Sequence, residues 1–97
     1  MKVLAEESWS WMLLEHDGDL IMSVVCGSVG LYTIEFVLSN DEQSAYQQLG
    51  LPHLNQMARS VSWQPESFLH RQLKGFSELP DLKEAVANWR AQHAVAP

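Results

Sequence analysis

The stretch Leu20–Leu38, LIMSVVCGSVGLYTIEFVL, is the most apolar and β-branched run in the chain, and its reading decides the fold. Glycines at 27 and 30 divide it into two strand-like halves. In the second half Tyr32, Ile34, Phe36 and Leu38 alternate with Thr33, Glu35 and Val37, the period of a strand with one face turned to a core. The run is therefore expected to form the middle of an antiparallel sheet that the rest of the chain covers.

The preceding segment, Ser8 to His16, meets this run through Asp17-Gly18, a pair that supplies the positive φ angles of a two-residue type I′ turn. That turn fixes the register. Glu15, Leu13, Trp11 and Trp9 are expected beside Leu20, Met22, Val24 and Cys26 on the core face. His16, Leu14, Met12 and Ser10 then lie beside Asp19, Ile21, Ser23 and Val25 on the outer face. With Thr33, Glu35 and Val37 added, that outer face is greasier than a solvated sheet face usually is, which points to cover or contact.

After Leu38 the period changes to that of helices. Asn40 is a candidate N-cap, with Asp41 and Glu42 on the positive helix end and Gln43 as the reciprocal partner. The helix is expected to stop at Gly50 and restart after Pro52, carrying Leu51, Leu54, Ala58 and Val61 as one stripe. Trp63-Gln64-Pro65 breaks it. A short helix from Pro65 carries Phe68, Leu69 and Leu73 inward and ends at Gly75. A last one opens between Ser77 and Asp81 and presents Leu79, Leu82, Val86 and Trp89. The tail Ala94–Pro97 reads as frayed. Strands first and helices afterwards give an α+β fold: a three-stranded antiparallel meander, then three to four short helices packed on one sheet face.

The 97 residues make one domain, 1–97, and at 46% hydrophobic and 19% charged they suffice for a packed core. An apolar start cut short by Glu6-Glu7, and no later run near the ~20 residues of a membrane span, predict a cytoplasmic protein without membrane contact. One cysteine, Cys26, fits a reducing compartment. The net charge of −6 is uneven: residues 1–50 carry eight acids against Lys2 alone, a balance of −7, whereas residues 51–97 balance at +1. A field of that kind repels nucleic acid and attracts a basic partner.

No reaction motif emerges. His16, His53, His70 and His93 lack helical metal-ligand spacing, so no metal or other cofactor is expected. Cys26 falls on the apolar face, far from any base, and reads as a small buried hydrophobe rather than a nucleophile. GSVG lacks the Lys-Ser/Thr ending of a phosphate loop, and none of the serines stands in a G-x-S-x-G elbow. Trp9 and Trp11, two apart on the core face, read as packing. The chain is expected not to be an enzyme.

The acid-rich opening hairpin EESWSWMLLEHDGDL, the block VVCGSVGLYTIEFVLSNDE and the helical second half together resemble the small acidic immunity proteins of bacterial polymorphic-toxin and contact-dependent growth-inhibition systems. The resemblance implies an inhibitor that binds a cognate toxin domain, often a nuclease, and occludes its active site or substrate surface. From the charge count, the contact acids are expected to be Glu15, Asp17, Asp19, Glu35, Asp41 and Glu42. The alternative is a small structural domain that pairs with its own copy through Met12, Leu14, Ile21, Val25 and Val37 on the outer face.

Overall fold

A computed structural model describes residues 1–7, 10–27 and 32–93, the side chains of Ser77 and His93 aside. The expectations for Trp9, for the Ser28–Gly30 turn and for the tail Ala94–Pro97 lie outside the described residues. Four strands, β1 (Lys2–Glu7), β2 (Trp11–His16), β3 (Asp19–Cys26) and β4 (Tyr32–Val37), form an antiparallel sheet in sequence order. Helices α1 (Asn40–Leu49) and α2 (Leu51–Trp63) follow. A 3-10 stretch over Pro65–Arg71 and a 3-10 turn over Phe76–Glu78 then lead to α3 (Pro80–His93). No described helix is long and apolar enough to cross a membrane.

The hairpin has the register its turn dictates. Asp17 and Gly18 both take positive φ, 52° and 85°, and Trp11↔Val24, Leu13↔Met22 and Glu15↔Leu20 pair on one face. Met12↔Ser23, Leu14↔Ile21 and His16↔Asp19 pair on the other.

The α+β class holds, and two details of the expectation are corrected. The sheet has a fourth strand, β1, which sequence alternation does not reveal because the register shifts between Val3 and Ala5. Around that bulge Leu4 and Ala5 both pack against the same core, so period-two patterning fails. The second correction is that helices cover both sheet faces.

On the first face Trp11, Leu13, Met22, Val24, Ile34 and Phe36 are buried under Leu54, Met57, Ala58 and Val61 of α2. On the second, Val3, Leu14 and Ile21 are buried with Phe76 and Ala85, and Leu82, Val86 and Trp89 of α3 pack against them. Part of the greasy outer face, around Val3, Leu14 and Ile21, is thus covered by the chain's own last helix. Leu14 and Ile21 are fully enclosed and offer nothing to a second copy, while Met12, Val25 and Val37 are half-buried.

The chain changes sides at the free edge of β4. There the Leu73 N–H donates to the Glu35 carbonyl at 2.8 Å and the Arg71 guanidinium donates to the Val37 carbonyl at 2.8 Å. Those bonds satisfy edge carbonyls that would otherwise invite another strand.

The helix ends follow local chemistry with small shifts. Ser39, not Asn40, caps α1: its hydroxyl accepts from the Glu42 N–H, and the Glu42 carboxylate accepts from the Ser39 N–H, so the reciprocal residue is Glu42 rather than Gln43. S-x-x-E is a capping box, and the carboxylate also suits the positive end of the helix. Leu51, Leu69 and Leu79, expected inside, are exposed. Met57 and Ala85 take buried positions instead. Leu73 faces the second core rather than the first.

Candidate functional site: an acidic end of the sheet

Pairing brings separate acids to one end. Lys2 stands opposite Glu15, His16 opposite Asp19, and the Leu38 N–H donates to the Leu20 carbonyl at 2.8 Å. The β2–β3 turn and the first turn of α1 therefore lie at the same end of the sheet, and Glu15, Asp17, Asp19 and Asp41 are all exposed there. Asp17 is 85% exposed, with the half-buried His16 imidazole 3.4 Å away. No Lys or Arg forms a salt bridge with any of the four among the described residues.

The other two expected contact acids are placed differently. Glu35 is only 3% exposed, on the second face, where the Ser23 hydroxyl donates to it at 2.9 Å. A carboxylate so enclosed cannot meet the surface of a partner, which corrects its expected role. Glu42 lies at the acidic end but is engaged: Arg71 grips both its oxygens, at 2.6 and 3.1 Å. Burial pushes the Glu42 carboxyl up, yet the Arg71 and Ser39 hydrogen bonds together with the Arg71 charge outweigh it and hold the group below its ordinary value. Arg71 in turn rises above its ordinary value, chiefly through the hydrogen bonds to Glu42.

Cys26 is buried, and burial pushes its thiol up, with the Glu35 carboxylate adding to the effect. That is the opposite of what an activated thiolate needs. Among the described residues, no three His, Cys, Asp or Glu side chains gather so as to hold a metal ion.

At the opposite end of the sheet one feature escaped the sequence reading. Trp63, the last residue of α2, is 83% exposed. It borders a groove of about 660 Å³ that also takes in Arg59, Ser62, Ser10 and Val25. The signal was present in the helical phase: Leu54, Ala58 and Val61 form the buried stripe, and a residue two beyond Val61 points roughly 200° away from it.

The site thus defines a small α+β protein with helices on both sheet faces and four exposed carboxylates at one end that no Lys or Arg salt bridge engages among the described residues. No protein-family model, no curated protein and no solved structure matches the chain.

Proposed function

We propose that the protein is a non-catalytic binding protein of the immunity type, which neutralises a cognate toxin domain, a nuclease in the first instance, inside the cytoplasm. Its acidic end docks on the basic surface where the toxin takes its substrate. The observation that carries the reading is the convergence of Glu15, Asp17, Asp19 and Asp41, from two separate chain segments, on one exposed end with no Lys or Arg salt bridge among the described residues. Exposed carboxylates at one end of the sheet present a negative field that a positively charged partner complements. A nuclease cleft is basic because it must neutralise phosphates, so carboxylates can stand where phosphates would lie. Burial of the Cys26 thiol argues against that group acting as a nucleophile.

The test is co-expression with the toxin domain encoded beside the gene, together with capture of that domain by the purified protein. Association should slow steeply as salt rises. Reversing the tip in an Asp17→Lys/Asp19→Lys variant that keeps the wild-type unfolding midpoint should slow capture by about tenfold or more and abolish protection, with Asp19→Lys/Asp41→Lys in its place should the turn, where Asp17 takes φ 52°, not fold. Unchanged protection and capture by that variant would overturn the proposal.

A further inference from the structure

One row across the second face of the sheet consists of Glu6, Met12, Ser23 and Glu35, partners in successive strands from β1 to β4. Its two carboxylates stand about 14 Å apart at their backbones, three strand spacings. They are held in contrasting ways. Glu6 accepts from the Trp89 indole N–H at 3.2 Å and lies 3.7 Å from the Arg90 guanidinium. Glu35 is more deeply buried, has the Ser23 hydroxyl as its side-chain partner, and is reached by no Lys or Arg salt bridge among the described residues. A buried carboxylate without a base is an incomplete electrostatic arrangement.

Beside this row α3 leaves the sheet uncovered, and a groove of about 540 Å³ opens over Met12, Ser23, Val25 and Thr33. Glu6 and Glu7 line its margin, and the one base there, Arg90, is 68% exposed. Glu35 does not line the groove; it sits behind Ser23, which does. The groove therefore combines an apolar patch, the hydroxyls of Ser10, Ser23 and Thr33, and an excess of negative charge, part of it recessed where solvent screens it least.

We infer that this groove is a second contact point, which takes an arginine side chain of the basic protein partner. The aliphatic stem packs on Met12 and Val25. The planar guanidinium donates to the Ser23 and Thr33 hydroxyls on neighbouring strands, with Glu35 as the charge behind them and Glu7 at the margin. A guanidinium fits better than an ammonium because its fixed fork serves several acceptors and it is more weakly hydrated. The inference rests on the proposed basic partner, yet it lies at the end of the sheet away from the acidic tip, so the two are separable.

The probe is argininamide, with glycinamide as control, added to the full chain and followed by backbone amide NMR. Argininamide should shift Met12, Ser23, Val25 and Thr33 in a saturable way that glycinamide does not reproduce. Glu35→Gln, which keeps the shape and an acceptor for Ser23, should weaken that binding by about threefold, as should Glu7→Gln at the exposed margin should the buried variant not fold. Shifts confined to Glu15–Asp19 and Asp41, or affinity unchanged in a folded Glu35→Gln variant and in Glu7→Gln, would overturn the inference. If the groove stays silent while the Asp17→Lys/Asp19→Lys variant still loses the toxin, the inference falls and the function stands. If argininamide fills the groove while that variant keeps the toxin, the function falls and the groove remains.

Discussion

Arg71 joins parts of the chain that are far apart in sequence. Its guanidinium grips Glu42 in the first turn of α1, donates to the Val37 carbonyl on the β4 edge, and lies over the Phe36 ring with its carbon 4.7 Å from the centroid. Arg71→Ala strips the guanidinium from the part-buried Glu42 carboxylate, which keeps only the Ser39 N–H, and leaves the Val37 edge carbonyl without that donor; it should cost about 2–3 kcal/mol of unfolding free energy in urea titration. Arg71→Lys should recover only part of this, because an ammonium cannot serve both Glu42 oxygens in one plane. The same pair sets an acid limit. Glu42 is held below its ordinary value in the folded state, so its contribution is complete above that ordinary value and is lost as pH falls through the lower, folded one. The urea midpoint should therefore drop from roughly pH 5 downwards, and less steeply in a Glu42→Gln variant. Cys26, enclosed and with its thiol pushed up, should resist iodoacetamide in native protein and react at once in denaturant. Single residues were also where the sequence was least legible. Glu35 and Glu42 carry the same charge as Asp17, and nothing local separates an acid buried by the fold or gripped by a distant arginine from one left in water.

At the scale of elements, short-range chemistry was read well and cover was not. The Asp17-Gly18 turn sets both positive φ angles and thereby the pairing of twelve residues. β1 stayed hidden because Leu4 and Ala5 share a face, and a bulge erases the alternation by which a strand is recognised. The apolar outer face gave a true signal, but its meaning depends on α3, which approaches from the far end of the chain. Leu14 and Leu13 test this directly. Both are fully enclosed, on opposite faces. Leu14→Ala and Leu13→Ala should each cost about 2–5 kcal/mol by thermal or chemical unfolding. Helices on one face only would make Leu14→Ala nearly neutral.

For the molecule as a whole, the halves of the chain differ in charge, and the fold turns that difference into geometry. The acids of residues 15–19 and Asp41 meet at one end, while Glu6 and Glu7 sit by the groove at the other. The sequence arithmetic showed an acidic half but not its division into two ends, because which acids converge is set by strand direction. Trp63→Ala removes an 83% exposed ring that packs on little, so its Tm should move by less than about 2 °C. A loss of affinity for the proposed toxin partner in that variant would add the Trp63 end to the proposed contact surface.

The single crossing at Arg71–Leu73 orders events in time. During synthesis from the N-terminus, the meander with α1 and α2 can enclose its first core before the later residues leave the ribosome, whereas α3 is made last and packs on a sheet already formed by β1, β2 and β3. The last helix is then the part that lets go first. Deuterium uptake at Leu82–Trp89 should outpace that at Leu13, Met22 and Phe36, reporting a partial opening that bares Leu14 and Ile21 while the rest stays folded.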